Sequence, residues 1–157
     1  MLRIEVVENI NHTPGLQLAV EGHAELLQAG LSDDVAMVHW DHKAVIAFVD
    51  RQDPGEAGAA VGPYTEAVGV ISFGHLEWAR QFDIYIGYVR RPHRHRGVYT
   101  ALWKRLVEEA QKRGVAIIQG TTDVKNAPMR AVAKTLGRTE QAVVLHFRVP
   151  PAEAPGA

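Results

Sequence analysis

The chain has 157 residues, 46% of them apolar and 22% charged, which is the composition of one ordinary globular domain with a core. A formal net charge of -1 gives no global basis for nucleic-acid binding, and the lack of cysteine excludes disulfides, thiolate nucleophiles and cysteine zinc sites. No apolar run reaches membrane-spanning length, and Glu5 stands where a signal peptide needs apolar residues, so a cytoplasmic protein with no membrane partner is the expectation.

Leu2–Glu8 alternates apolar and polar residues and predicts a first strand. Thr13-Pro14-Gly15 opens a helix, in which Leu16, Val20, His23, Leu27 and Leu31 recur at roughly helical spacing and Gly30 supplies the stop. Asp33–Asp41 reads as either a short helix or a strand, with helix favoured. Ala44–Asp50 and Glu66–His75 are strands by their valine, isoleucine and phenylalanine content, and Asp53–Gly62, with four glycine or proline residues, is an exposed loop between them. Gln81–Val89 is a further strand, with Ile84, Ile86 and Tyr88 expected on one face, joined to the previous one by a hairpin at Leu76–Arg80. A helix over Val98–Arg113 carries Leu102, Leu106 and Ala110 on one face and stops at Gly114. Val115–Gly120 is a strand, Asn126–Leu136 a helix ended by Gly137, and Gln141–Val149 a last strand. Trp78 and Trp103 are expected to pack. The strand–helix–strand unit over Gln81–Gly120 implies a parallel crossover in an otherwise antiparallel arrangement, hence an α/β fold with a mixed sheet and helices on both faces. Residues 1–149 are expected to form one domain, and Pro150–Ala157 a disordered tail.

Between the strand ending at Val89 and the helix starting at Val98, four arginines and two histidines fall within Arg90–Arg96, followed by Gly97. A helix start offers unpaired N–H groups and the positive end of the helix dipole, and glycine lets the backbone approach an anion closely. A bound polyanion would also relieve the repulsion among these cations. By residue chemistry alone the turn is either such an anion site or a solvated basic loop. It lacks the Gly-Lys-Ser/Thr ending of a nucleoside-triphosphate loop and the Gly-x-Gly-x-x-Gly of a dinucleotide site.

Arg94-His95-Arg96-Gly97-Val98-Tyr99, entered through Tyr88-Val89-Arg90-Arg91-Pro92-His93 and continued by Ala101-Leu102, resembles motif A (Arg/Gln-x-x-Gly-x-Gly/Ala) of the GNAT superfamily of acetyl-CoA-dependent N-acetyltransferases. Asn126-Ala127-Pro128-Met129-Arg130-Ala131, leading to Leu136-Gly137, is similar to the asparagine-led helix of that family. The motif-level resemblance covers Asp83–Gly137, and the order of elements extends it over most of Leu2–Val149. It implies a sheet that splits between the strand ending at Val89 and the strand Val115–Gly120, with the pantetheine arm of acetyl-CoA in the split. It further implies that amides from His95, Arg96, Gly97, Val98, Tyr99 and Thr100 hold the pyrophosphate with help from Arg94. Backbone groups near Val89 pair with the arm, and Asn126 contacts the pantetheine side.

The same resemblance places Asp83, six residues before Val89, as the base that accepts the amine proton, and the Val89 N–H as the donor to the tetrahedral oxyanion. An exposed strand aspartate is the alternative reading of Asp83; His75 and Glu77 are weaker candidates for the base. Tyr85 shares the side-chain parity of Asp83. Two positions depart from the family pattern. Tyr99 stands where a second small residue is usual, and Ala133 stands where many members carry a tyrosine that protonates the departing thiolate. The expected function is transfer of the acetyl group of acetyl-CoA to an amine of a small molecule or peptide by direct attack, without metal; the alternative is a GNAT-fold module that binds acyl-CoA without turnover. His39, Trp40 and His42 form a cluster better suited to packing or surface roles than to metal binding. No nucleic-acid partner is expected, and family habit allows a homodimer.

Overall fold

The computed structural model describes residues 1–32, 42–51, 64–142 and 145. The expectations for Asp33–Asp41, for Asp53–Gly62, for His39 and Trp40, and for the tail Pro150–Ala157 lie outside these residues. The described elements are β1 (Leu2–Val7), α1 (Pro14–Gln28), β2 (Lys43–Arg51), β3 (Tyr64–Leu76), β4 (Gln81–Val89), α2 (Val98–Lys112), β5 (Ile117–Gly120) and α3 (Ala127–Thr135). They form one five-stranded sheet in the order β1-β2-β3-β4-β5. The first four strands pair antiparallel, and β5 joins β4 in parallel after the α2 crossover. The expected mixed sheet is thus observed. The final strand expected over Gln141–Val149 falls largely outside the described residues, and Gln141, Ala142 and Leu145 carry no strand.

Among the described residues, one helix packs on each face of the sheet. On one face Val98, Leu102, Leu106 and Ala110 of α2 pack with Val45, Ile71, Phe73, Phe82 and Val89. On the other, Leu18 and Ala19 of α1 pack with Ile46, Val70 and Ile86. The buried stripe of α1 is Gly15, Leu18, Ala19 and Gly22. This corrects the stripe read from Leu16, Val20, His23, Leu27 and Leu31, since Val20 is 53% exposed. The reason is closeness: a Cβ at Gly22 would lie 2.8 Å from the Cβ of Tyr88, so only the smallest residues let α1 settle on the sheet. The helix ends at Gln28, and Gly30 follows with φ 65°, in the left-handed region where glycine costs least.

A second correction concerns β4. Its register with β3 passes from Phe73↔Ile84 to Ser72↔Ile86, which leaves Tyr85 as an extra residue in a β-bulge. The bulge inverts the alternation. Ile84 packs against the α2 cluster, whereas Ile86 and Tyr88 pack against the α1 cluster. Ile84 therefore does not share a face with the other two, as strict alternation had implied.

Candidate active site

Strands β4 and β5 are joined only over Gln81↔Ile117 to Ile84↔Gly120. From the Tyr85 bulge to Val89, β4 has no paired strand on that side among the described residues, so the sheet opens there. The N–H of Arg90 donates to the Val68 carbonyl on β3 at 2.9 Å. Successive backbone groups of a strand point to opposite edges, so the N–H and C=O of Val89 point away from β3 and into the opening. The unpaired stretch of β4 leads into the turn before α2.

At that end, His95 (φ 59°) and Gly97 (φ 76°) both adopt left-handed backbone. A Cβ on Gly97 would meet nothing within 4 Å, so glycine is required there by conformation and not by crowding. Gly97 is the N-cap of α2, and no side chain among the described residues caps it. The first-turn amides of Val98, Tyr99 and Thr100 therefore remain without an intrahelical partner. Val98 is buried and offers only its backbone. His95, Arg96 and Gly97 are exposed, and Arg96 has no side-chain partner among the described residues.

The arginines of the turn are mostly spoken for. Arg90 donates through Nε and Nη2 to Glu21 at 2.9 and 2.8 Å, and through Nη1 to the Ala67 carbonyl at 3.1 Å. Arg94 donates through Nε to the Val89 carbonyl at 2.8 Å, sets Nη1 and Nη2 against Glu25 at 2.8 and 2.9 Å, and lies 5.6 Å over the Tyr88 ring. Arg91 approaches Glu25 at 3.5 Å. The hydrogen bonds from Arg90 and Arg94 hold Glu21 and Glu25, respectively, below the usual carboxylate range, against an opposing push from partial burial. The crowding of cations is thus relieved by acidic side chains of α1. What the structure leaves open to an anion is the helix end, His95 and Arg96; the Arg94 side chain instead ties the turn to α1. Neither Glu21 nor Glu25 was singled out from the sequence. Their spacing of four residues matches that of Arg90 and Arg94, which is the one signal that pointed to them.

Tyr99 turns its ring away from the turn. A Cβ on Gly87 of β4 would lie 2.7 Å from the Tyr99 ring and 2.8 Å from its hydroxyl, so the ring rests on β4 beneath the opening. The Arg138 guanidinium lies 5.1 Å over the Trp103 ring, with Nη2 near Gly120 of β5; burial raises the Tyr99 hydroxyl above the usual phenol value and the Arg138 charge opposes that rise. The large residue at a usually small position therefore leaves the amides of the turn uncovered. Arg138 was not identified from the sequence, where it follows Leu136-Gly137 without any periodic pattern. Asn126 is the N-cap of α3, with Oδ1 accepting from the Met129 N–H at 3.2 Å, which leaves its Nδ2 amide as the available donor. Ala133 lies in α3, none of whose residues is buried.

Asp83 sits at the closed end of the opening, paired with Gly74 on β3 and Gln119 on β5. Because Phe82 and Ile84 face α2, Asp83 faces the α1 side. Its Oδ1 accepts from Gln81 Nε2 at 2.6 Å. Tyr85 lies on the same side, stacked on His42 with ring centroids 3.9 Å apart and its hydroxyl over Gly74. Burial, and then the charge of Asp83, raise the Tyr85 hydroxyl above the usual phenol value. A cavity of about 540 Å³ opens beside this pair, lined also by Glu8, Lys43, His75, Glu77 and Arg113. Lys43 is neutralised by Glu8 at 2.7 Å, whereas Glu77 is exposed and has no partner among the described residues. His42 is 4% exposed and belongs to this packing; Trp103 packs beside the α2 cluster, but Trp78 is 86% exposed, against expectation. Among the described residues there is no cluster of three or more metal-ligating side chains, and no helix is long and apolar enough to cross a membrane.

Comparison with known proteins agrees with this geometry. An aminoglycoside acetyltransferase, HMB0005, from an uncultured soil metagenomic sample is 23% identical, with a TM-score of 0.62 over 97% of this chain and 99% of that one. A ribosomal-protein-alanine N-acetyltransferase from Brucella melitensis biovar Abortus 2308 is 18% identical, with a TM-score of 0.61 over 95% and 100% of the two chains. AAC(6')-Iy, solved in complex with the bisubstrate analog CoA-S-monomethyl-acetylneamine, is 16% identical, with a TM-score of 0.59 over 96% and 99%. Comparison with curated protein sequences finds no match. The acetyltransferase (GNAT) family matches residues 25–137, well over half of the chain. With the split sheet, the uncapped helix and the Arg94–Gly97 turn in place, the chain belongs to the GNAT acetyltransferase family.

Proposed function

We propose that the protein transfers the acetyl group of acetyl-CoA to an amine of a small molecule or peptide, by direct attack of the amine on the thioester. The observation that carries this reading is the opening between β4 and β5, which leads straight to an uncapped helix start. An uncapped helix start with left-handed residues before it suits a pyrophosphate, held by the amides of His95 to Thr100. The pantetheine arm then runs along the free edge of β4 like an added strand, with the Asn126 side-chain amide as a further donor. The Val89 N–H faces the position of the tetrahedral oxyanion. Asp83 accepts the proton of the attacking amine, directly or through one water. The amine enters through the cavity beside Tyr85, whose lining carries the exposed Glu77 carboxylate.

The alternative, a module that holds acyl-CoA without turnover, is favoured by Ala133 alone. Release of free thiol from acetyl-CoA across a panel of amines separates the two. Amine-dependent release supports transfer; acetyl-CoA binding with no release from any amine supports the module.

A further inference from the structure

The proton budget of this reaction has two sides. The attacking amine loses a proton, and the sulfur of CoA, which leaves with the electron pair of the broken C–S bond, must gain one or be stabilised as a thiolate. Asp83 and Tyr85 both lie on the α1 side of the sheet. The Tyr85 hydroxyl is turned over Gly74 on β3, away from the opening, and so is poorly placed to serve the sulfur. On the opposite, α2 side, the Tyr99 hydroxyl lies against Gly87, between the closed end at Ile84 and the mouth at Val89. That stretch of β4 is five residues, or ~17 Å. A cofactor arm running along it from the start of α2 toward the closed end passes Gly87, against which the Tyr99 hydroxyl rests. Arg138 lies on the β5 side of this stretch, near Gly120 and held over Trp103, where its charge acts on the same hydroxyl.

We infer that the Tyr99 hydroxyl is the proton donor to the departing thiolate of acetyl-CoA, and that Arg138 is the residue that positions it. The inference rests on the acetyl-transfer reading above. As the amine nitrogen bonds to the acetyl carbon, its proton passes to Asp83. The C–S bond then breaks, the pair goes to sulfur, and the Tyr99 proton follows it. The phenolate so formed is balanced by the Arg138 charge until solvent returns a proton to it, Asp83 gives the amine proton up to solvent, and the product amide and free CoA thiol leave. Burial raises the Tyr99 hydroxyl above the usual phenol value and Arg138 opposes that rise, so the group holds its proton at neutral pH and has a cation beside it when the proton is given up. Placed this way, the base and the acid work from opposite faces of the sheet, on the two atoms that exchange bonds.

The test uses the full chain and the Tyr99→Phe variant, which keeps the ring on Gly87, with melting temperature as the check on folding. CoA is bound to each, and its thiol is titrated by the ultraviolet absorbance of the thiolate. In the wild type the bound thiol is expected to ionise at a lower pH than in Tyr99→Phe, by about one unit, because the variant loses the donor. Acetyl-CoA affinity stays unchanged and kcat falls about 100-fold. Arg138→Ala is expected to move the titration in the same direction by a smaller amount, and Arg138→Lys to restore part of it. An unchanged thiol titration in a folded Tyr99→Phe overturns the inference whatever its kcat. A wild type that binds acetyl-CoA but transfers to no amine removes the acetyl-transfer reading instead, and with it the role assigned to Tyr99.

Discussion

Glu25 on α1 grips Arg94 of the basic turn at 2.8 and 2.9 Å, and one turn earlier on the same helix Glu21 grips Arg90 at 2.8 and 2.9 Å. Both pairs span 69 residues. They fix the turn against the helix on the far side of the sheet while leaving its backbone amides outward. Glu25→Gln is expected to lower stability by about 1 kcal/mol, a figure held down by solvent screening of a partly exposed pair. A turn loosened by that amount binds acetyl-CoA roughly fivefold more weakly. Denaturant unfolding and calorimetry check the two effects separately; equal affinity in the variant would remove the link between α1 and the turn.

At Gly22 α1 lies close against the sheet, with the Tyr88 Cβ at 2.8 Å from an added side chain. Gly22→Val should therefore push the helix outward and cost about 2 kcal/mol. Thermal unfolding measures it, and a melting temperature within a degree of the wild type would contradict the contact.

Glu8 links the ends of two elements, accepting from Arg113 past the end of α2 and from Lys43 of β2. The Arg113 hydrogen bond, followed by the one from Lys43, lowers its carboxyl to about 2. A carboxylate depressed in the folded state stabilises above its unfolded value near 4.5 and loses that contribution as pH falls toward 2. Stability of the wild type should thus drop between about pH 5 and pH 2 more steeply than that of Glu8→Gln. Parallel slopes of melting temperature against pH in the two proteins would show that the ion cluster contributes nothing.

Asp83→Asn is expected to lower kcat about 100-fold while acetyl-CoA binds as before, because in the proposed reaction the residue meets the amine and not the cofactor. The loss should be relieved as pH rises and more of the acceptor amine is already neutral. A variant with full activity at neutral pH would return Asp83 to the role of an ordinary strand aspartate.

The features legible in the chain were those carried by local pattern. The strands, the Val98–Lys112 helix with its Leu102 and Leu106 face, and the Arg94–Gly97 turn all announce themselves through periodicity or through glycine among basic residues. What stayed hidden depends on contacts across the fold. The α1 stripe was misread because its buried face is built from Gly15, Ala19 and Gly22, which carry little hydrophobic signal. The inversion of β4 follows from one bulged residue, Tyr85, that no alternation rule anticipates. Arg90 and Arg94 read as cations awaiting a polyanion because their partners lie on another element, and Arg138 comes to lie over Trp103 only once α3 returns the chain toward α2.

Calorimetric titration of acetyl-CoA into the wild type and into Gly97→Glu tests the central claim most directly. Gly97 has open space around it, so the glutamate side chain meets no crowding, but its backbone strain costs about 1 kcal/mol and its carboxylate occupies the anion position at the start of α2. One acetyl-CoA bound per wild-type chain, and no measurable binding to a Gly97→Glu variant that remains folded, is the predicted result. No binding to the wild type, or equal binding to both proteins, would contradict the placement of the cofactor between β4 and β5 at the start of α2.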